Sequence, residues 1–335
     1  MGHAESDTPV RVARALADGR ARSGPALAAE LGITRAAIWK AIGRLREMGL
    51  TIGASRSTGY RLEQPVEWLS ADAIRVRLAP RAAALLADLE VHWTLPSTSD
   101  HLLRAEPPAA GRGRACFAEF QSGGRGRRGR AWLAPLGQTV CLSVAWSFST
   151  SPAQLHTLGL AAGVAVMRAL QPFNIGGLGL KWPNDVLLDG GKLGGVLVDV
   201  QGESGGPLQA VVGVGLNWCV GEAVNTAVAA AGGLPTASLA AHCAGVEGAR
   251  NALAAGLLSE LLALFPTFAS TGFGAFLPEW RRADALCGLD ISVTGEQGSL
   301  RGNAAGIEAD GQLRLTTPGG VERLLTGDVS IRPRE

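Results

Sequence analysis

Residues 178–200 read LGLKWPNDVLLDGGKLGGVLVDV, and this stretch decides the fold class. Its apolar residues fall into runs separated by polar residues and glycines, a pattern that predicts two strands around a tight turn. Residues 209–218, QAVVGVGLNW, predict a further strand soon after it. Strands joined by hairpins, with the helices grouped elsewhere, indicate an α+β fold rather than a doubly wound parallel sheet.

Similar patterns extend on both sides of this stretch. Upstream, VHWTL, ACFAEF and TVCLSVAWSF are strand-like runs, and PSTSDHLLRA lies between the first two. Residues 151–170 predict one long helix capped by Ser151, and residues 64–83 predict a linker helix. From about Asp284, short strands with glycine turns predict a small β-barrel. The patterns divide the chain into domains at residues 1–63, 64–283 and 284–335.

The amino-terminal region predicts a winged helix-turn-helix. A short amphipathic helix at residues 9–22 precedes a helix that Ser23 caps and Gly32 ends. Thr34 is the expected N-cap of the next helix, whose apolar stripe is Ile38, Ile42 and Leu45. TIGASRSTGYRL, residues 51–62, then has the pattern of a β-hairpin that would form the wing.

Charge is distributed unevenly along the chain. Residues 1–62 carry 10 basic against 5 acidic residues, whereas the remainder carries 21 against 24. A basic helix-turn-helix on a mildly acidic body predicts a DNA partner for that module. The alternative is a small interaction module with a solvated basic face. The candidate DNA contacts are Thr34, Arg35, Lys40, Arg44 and Arg56.

Cysteine content and hydropathy indicate a compartment. The five cysteines are odd in number, widely spaced and without a Cys-x-x-Cys pair. This spacing argues against a disulfide framework or a zinc site and favours a reducing cytoplasm. No apolar signal region opens the sequence, and no run approaches the ~20 apolar residues that a membrane span needs. We therefore expect a cytoplasmic protein without membrane segments.

GGRGRRGRAW, residues 123–132, has neither helical nor strand periodicity. Glycines let backbone N–H groups approach a ligand, and arginine forks match phosphate and carboxylate oxygens. The order of residues does not match a Walker A loop, since no Gly-Lys-Ser/Thr follows. The loop therefore predicts a phosphate-bearing anion as ligand, with a flexible basic surface loop as the alternative.

KWPNDV, residues 181–186, adds a cation, an amide and a carboxylate. The chain has 28 arginines but three lysines, and two of them are Lys181 and Lys192. Asn184 and Asp185 offer oxygen atoms for hydrated Mg²⁺ beside phosphates, although Pro-Asn-Asp is also an ordinary turn. Asn217 ends the strand GVGLNW as a further polar contact.

Taken in order, STSDH, EFQSGGRGRRGRAW, KWPNDV, GGKLGGVLV and GVGLNW resemble the biotin–protein ligase family. With the winged helix, the chain resembles the bifunctional bacterial form, in which the ligase is also the biotin operon repressor. The resemblance implies a central mixed α/β domain like that of class II synthetases and an SH3-like carboxyl-terminal barrel. It also implies that ATP, Mg²⁺ and biotin bind to the protein.

The resemblance implies site residues by motif. Ser97, Thr98, Ser99 and Gln121 would contact the biotin ring, with Ser99 standing where the family usually has asparagine. Gly124, Arg125, Gly126 and Arg127 would fold over the biotin chain and the phosphate. Lys192 and Arg127 would be catalytic, Lys192 by contacting the carboxylate that is activated. The nucleotide side would comprise Arg128, Arg130, Trp132, Lys181, Asn184, Asp185 and Asn217, with Asn184 and Asp185 near Mg²⁺.

The implied reaction forms biotinyl-5′-AMP and transfers biotin to a lysine of a biotin carboxyl carrier protein. Bound adenylate would promote a homodimer that presents two basic helices to operator DNA. A lipoate–protein ligase is the nearest alternative enzyme. A ligand-sensing transcription factor without turnover is the alternative from another class.

Overall fold

The computed structural model describes residues 7–55, 57–149, 151–202, 206–295 and 298–331. Arg56, one of the predicted DNA contacts, lies outside these ranges. The amino-terminal part is the predicted winged helix-turn-helix, and its elements are α1 Thr8–Ala15, α2 Gly24–Leu31, α3 Arg35–Glu47, β1 Ile52–Ser55 and β2 Gly59–Leu62. The hydroxyls of Ser23 and Thr34 accept the backbone N–H groups of Ala26 and Ala37, so both predicted caps are confirmed.

The predicted apolar stripe of α3 forms the core of this module, since Ile38, Ile42 and Leu45 are buried. The first helix is shorter than predicted. It ends at Ala15, and Gly19 follows in the left-handed region with φ 71°. Because the same core includes Trp93 and Leu136, the module packs against the centre of the chain.

The central part is a mixed α/β unit, as predicted. Its helices in the described residues are α4 Ala71–Arg75, α5 Pro80–Leu85, α6 Thr98–Arg104, α7 Pro152–Leu155, α8 Leu158–Leu170, α9 Glu222–Ala230, α10 Ala249–Thr271 and α11 Leu277–Ala283, with 3-10 turns at Arg127–Gly129, Gln171–Phe173, Ala240–Cys243 and Gly272–Ala275. Its strands are β3 Leu86–Leu95, β4 Gly113–Gln121, β5 Thr139–Phe148, β6 Leu178–Lys181, β7 Asp185–Leu188, β8 Gly191–Gln201 and β9 Leu208–Asn217.

These strands form one sheet in the order β3-β4-β5-β9-β8-β7-β6. β3 and β4 are parallel, and the other neighbours are antiparallel. Helices α8 and α10 pack together on one face, whereas α6 packs on β4, β5 and β9. Side chains alternate along a strand: Phe117 belongs to the large core under α8 and α10, and Cys116 to a small cluster under α6.

Three further predicted elements differ from the structure. Residues 178–200 form three strands rather than two, because both KWPND and LDGG make turns. The linker region holds two short helices, α4 and α5, divided before Pro80. The long helix is divided into α7 and α8 at His156, whose ring is hydrogen-bonded to the carbonyl oxygens of Ala153 and Asp310. Ser151 lies at the predicted cap position but makes no capping bond.

The carboxyl-terminal part is the predicted small β domain. Its five strands in the described residues are β10 Asp290–Gly295, β11 Gly298–Ile307, β12 Leu313–Thr317, β13 Gly320–Leu324 and β14 Asp328–Ile331. They form an antiparallel sheet in the order β13-β12-β11-β10-β14. The indole N–H of Trp182 donates to the carbonyl oxygen of Gly311 at 3.0 Å, so this domain contacts the KWPND turn directly.

Two apolar segments, Pro152–Phe173 and Ala249–Ala275, are long and apolar enough by length and composition to cross a membrane. Most of each lies buried inside the protein, where α8 and α10 pack against each other and the sheet. Core helices of globular proteins commonly have this character.

Candidate active site

The glycine–arginine loop folds back on itself between β4 and β5. The N–H of Trp132 donates to the Gly124 oxygen at 2.8 Å, and that of Gly126 to the Arg130 oxygen at 2.7 Å. A Cβ atom on Gly124 would lie 2.4 Å from the carbonyl oxygen of Trp132, so the fold requires glycine there. The loop therefore holds its arginines at fixed positions around a narrow hairpin.

Three of the loop arginines are paired with carboxylates. Arg125 lies 2.8 Å from both Asp100 and Asp199, which come from α6 and β8. Arg128 and Arg130 both contact Asp328 of β14. Acidic residues of three other elements thus hold the loop against the sheet and the carboxyl-terminal domain.

Arg127 points to a different place from its neighbours. It is half-buried, its Nη1 lies 3.5 Å from Oδ1 of Asn184, and burial lowers the pKa of its guanidinium. This contact brings the loop together with the KWPND turn, as the sequence predicts. The guanidinium therefore closes one side of the site.

Lys181, Asp185 and Lys192 form the charged centre of the site. The two Asp185 oxygens lie 3.3 Å from Lys181 Nζ and 2.6 Å from Lys192 Nζ. Burial lowers the pKa of Lys181, although Asp185 opposes that shift. With Arg127 nearby, three cations surround one carboxylate, which leaves an excess of positive charge for anionic ligands.

The surroundings of Asn184 and Asp185 do not fit the predicted magnesium site. Each carboxylate oxygen of Asp185 faces a lysine ammonium, and Oδ1 of Asn184 faces Arg127. The Asn184 amide group donates to the Val196 oxygen at 2.9 Å. A divalent cation among these groups would meet three positive charges. Asp185 instead holds the two lysines.

A cluster of hydroxyls lies on the face of the sheet under α6. The Thr98 and Ser99 hydroxyls lie 2.8 and 2.9 Å from that of Ser143, and Gln121 Oε1 accepts the Thr98 N–H at 2.8 Å. The Ser97 hydroxyl caps α6 by accepting the Asp100 N–H. The four predicted ring contacts are therefore brought together. Ser143 was missed, because a serine inside an apolar strand gives no sequence signal.

The sheet beside these hydroxyls is lined by glycine. Ser143 is paired with Gly213 across the strands, and a Cβ on Gly213 would lie 2.7 Å from the Ser99 hydroxyl. A Cβ on Gly215 would lie 2.5 Å from Cε2 of Trp132. The two glycines therefore let the Ser99 hydroxyl and the ring of the half-buried Trp132 pack directly against the sheet.

Asn217 lies at the end of β9 and is hydrogen-bonded to Lys192. Its side-chain amide donates to the carbonyl oxygen of Lys192 at 3.1 Å, and its side chain is buried. The sequence predicts a nucleotide-binding residue at this position, and that assignment stays a prediction. The hydrogen bond gives Asn217 a part in positioning Lys192.

The second surface of interest is helix α3. Arg35, Lys40 and Arg44 are exposed on it, as predicted for a recognition helix, and Thr34 caps its first turn. Trp39 is 69% exposed on the same helix, a feature that the sequence analysis missed.

The far end of α3 contacts the segment that follows Trp132. Leu136 N–H donates to the Met48 oxygen at 2.9 Å, and the Gln138 amide donates to the Gly49 oxygen at 2.6 Å. The end of α3 is thus hydrogen-bonded to the segment that leads from the glycine–arginine loop into β5.

Three protein-family models match separate parts of the chain. Residues 94–217 match the biotin/lipoate A/B protein ligase family. Residues 13–61 match an HTH domain, and residues 287–332 match the biotin protein ligase C terminal domain.

Full-length relatives match the chain from end to end. The bifunctional ligase/repressor BirA of Escherichia coli is 32% identical over 331 residues, which are 99% of each chain. The chain belongs to the biotin protein ligase family. A second member, BirA of Bacillus subtilis, is 28% identical over 313 residues and covers 92% of this chain and 93% of its own. The biotin protein ligase of Aquifex aeolicus, solved with biotin and ATP, superposes with a TM-score of 0.58 at 25% identity and covers 74% of this chain and 99% of its own.

Proposed function

We propose that this member of the family is an ATP-dependent biotin–protein ligase that also acts as a biotin-responsive repressor. The observation that carries the proposal is the excess of positive charge at Lys181, Lys192 and Arg127. The loop that carries Arg127 also contacts α6, through the ion pair of Arg125 with Asp100. A carboxylate and a triphosphate can share such a centre, because its cations offset the repulsion between them.

The first step is activation of biotin. A carboxylate oxygen of biotin attacks the α-phosphorus of ATP, pyrophosphate leaves with the bonding electrons, and biotinyl-5′-AMP forms. Lys192 neutralises the biotin carboxylate and then the developing charge on the phosphate. Asp185 and Asn217 hold that lysine in place. ATP enters as its magnesium complex, and we propose no magnesium ligand in the described chain.

The bicyclic ring binds beside the first turn of α6. Ser97, Thr98, Ser99 and Ser143 offer hydroxyls to its polar head, and Gln121 orients Thr98. Gly124, Arg125, Gly126 and Arg127 cover the chain that leads to the carboxylate. On the nucleotide side, Trp132 packs against adenine and Lys181 lies within the field of the phosphates. Arg128 and Arg130 are paired with Asp328 and anchor the loop on the carboxyl-terminal domain.

In the second step a lysine amine of a biotin carboxyl carrier protein attacks the acyl carbon, and AMP leaves. Closure of the loop over the adenylate excludes water that would hydrolyse the mixed anhydride. Arg127 is the loop residue that reaches the centre of the site. We therefore assign retention of the adenylate to it.

Replacing Arg127 with glycine should release the adenylate. We expect the variant to form adenylate but to biotinylate bystander lysines of an added protein such as albumin. Free adenylate reacts without acceptor recognition, so labelling should rise at least tenfold over the unaltered enzyme on a streptavidin blot.

Arg130→Gly is the matched control, because Arg130 lies in the same loop but is paired outward with Asp328. It should label bystander protein no more than the unaltered enzyme does. Equal bystander labelling by Arg127→Gly and the unaltered enzyme would contradict the retention role.

The repressor function rests on helix α3. Arg35, Lys40 and Arg44 are solvent-exposed cations on a recognition helix, with Thr34 at its start. We infer that adenylate binding promotes a homodimer, so that two modules reach two half-sites of operator DNA. The contacts of Leu136 and Gln138 with the end of α3 give the ligand loop a short route to this module.

Sedimentation and binding to biotin-synthesis promoter DNA, with and without biotin and ATP, test this regulation. We expect the adenylate to increase both dimer formation and DNA affinity. Lys40→Ala should weaken DNA binding and reduce its salt slope by about one unit, with adenylation unchanged. An adenylate that alters neither oligomeric state nor DNA affinity would refute the regulatory proposal and leave the ligase.

The alternatives differ in substrate or turnover. A lipoate ligase shares the central family model, but the named relatives and the carboxyl-terminal model are those of biotin ligases. A sensor that does not catalyse adenylation would not need two lysines paired with Asp185.

We also propose that the functional domains run over residues 1–63, 64–283 and 284–335 and that the protein is cytoplasmic.

A further inference from the structure

A second cluster of reactive side chains lies at the β3 edge of the seven-stranded sheet, away from the charged centre. Glu90 and His92 are on β3, and His101 is on α6. Oε2 of Glu90 lies 2.7 Å from Nε2 of His92 and 2.9 Å from Nε2 of His101. The two imidazole rings are 4.9 Å apart. One carboxylate thus holds both rings in a fixed relation.

A thiol completes this cluster. Cys116 lies opposite Glu90 on the neighbouring strand β4 and is fully buried. Its Sγ and one ring nitrogen of each histidine all lie within 4.8 Å of one another. Donors around a tetrahedral zinc ion are about 3.3–3.8 Å apart, given its bond lengths. A contraction of about 1 Å would therefore bring the three donors to one cation.

We propose that His92, His101 and Cys116 bind a divalent cation of the zinc class, with Glu90 fixing the imidazoles. Two imidazoles and a thiolate form the donor set that borderline-soft metals prefer over Mg²⁺ or Ca²⁺. Cys116 loses its proton to solvent when its sulfur binds the metal. His92 and His101 are each about one-third exposed, which gives the cation a route in.

The charge around the cluster suits a cation. Glu90 is its nearest carboxylate, and a cysteine thiolate would add a second negative charge. Arg114 opposes them, since its Nη2 lies 3.5 Å from Oε1 of Glu90. Oε2 of Glu90 faces the histidines. Arg114 and the two imidazoles therefore contact different oxygens of this carboxylate.

The site would join three consecutive elements of the chain, β3, α6 and β4. The sequence analysis argued against zinc because its cysteines lack motif spacing, but the donors here come from two strands and a helix. His101 follows Ser97, Thr98 and Ser99 on the same short helix. A bound cation would therefore fix the helix whose first turn carries the hydroxyl cluster to the edge of the sheet.

Cobalt binding tests the site directly. Full-length protein without a histidine tag would be stripped with EDTA, reduced, freed of reductant and titrated with Co²⁺. We expect one equivalent to bind with a thiolate-to-cobalt charge-transfer band, which Zn²⁺ then removes. Cys116→Ser should abolish the band, and His101→Ala should weaken Co²⁺ binding at least tenfold. Glu90→Gln should weaken it by about 10- to 100-fold.

Cys287→Ser is the matched control, because Cys287 is an exposed free cysteine on another part of the surface. It should keep the full band. Zn²⁺ should also raise the melting temperature of the unaltered protein but not that of Cys116→Ser, whose metal-free unfolding shows whether it folds. Absence of a thiolate band in the unaltered protein, or its persistence in Cys116→Ser, would overturn the proposal.

Discussion

Replacing Lys192 with alanine should lower the rate of biotinyl-adenylate formation by about 100- to 1,000-fold, as when one preorganised electrostatic donor is removed. Its ammonium lies 2.6 Å from Asp185 and belongs to the centre where carboxylate and phosphate would meet. Without it, the site loses the cation that neutralises first the biotin carboxylate and then the charge that develops on the phosphate. Single-turnover formation of adenylate from biotin and ATP measures the effect.

Stability should change little in this variant. Asp185 keeps its contact with Lys181 after Lys192 is removed, so no buried charge is left alone. Lys40→Ala is the matched control, since it removes an exposed lysine from α3 and should leave adenylation unaltered. An adenylation rate within threefold of the unaltered enzyme in Lys192→Ala would disprove the proposed role.

Replacing Arg250 with methionine should have the largest effect on stability, about 3–5 kcal/mol of unfolding free energy. Arg250 is fully buried at the start of α10 and lies 2.7 Å from Oε2 of the buried Glu119. Its guanidinium also donates to the carbonyl oxygens of Glu67 and Thr139. The variant would leave the buried Glu119 carboxylate without a cation to balance its charge, although the Leu69 N–H still donates to it, and an unbalanced buried charge is costly.

Arg168→Met provides the comparison, because Arg168 forms an ion pair with Glu279 that is about one-third exposed. Solvent screens such a pair, so we expect a loss of at most about 1 kcal/mol. Urea unfolding followed by tryptophan fluorescence would measure both. Equal losses of unfolding free energy in the two variants would show that the buried Arg250–Glu119 pair stabilises the protein no more than an exposed pair does.

The parts of the fold with local signals could be predicted from the sequence. The hydroxyls of Ser23 and Thr34 cap helices by accepting backbone N–H groups three residues later in the sequence. The apolar stripe of α3 likewise repeats with the helical period. The residue types of the glycine–arginine loop and the KWPND turn also indicate that these segments bind an anionic ligand. Their meeting at Arg127 and Asn184 followed from the family resemblance rather than from local pattern.

The missing parts depend on tertiary contacts. Ser143 and Gly213 matter because two strands bring them together, and neither has a distinctive neighbourhood in the sequence. Asp185 was assigned to magnesium since its pairing with both lysines is invisible before folding. The division between α7 and α8 likewise depends on a contact of His156 with a residue more than a hundred positions away.

The most direct test of the central proposal is isotope exchange between pyrophosphate and ATP, measured with biotin, with lipoate and with neither. Exchange reports reversible formation of the acyl-adenylate, so it separates a biotin ligase from a lipoate ligase and from a sensor without turnover. We predict exchange that requires biotin and is not supported by lipoate. Exchange with lipoate instead of biotin, or no exchange with either, would contradict the account.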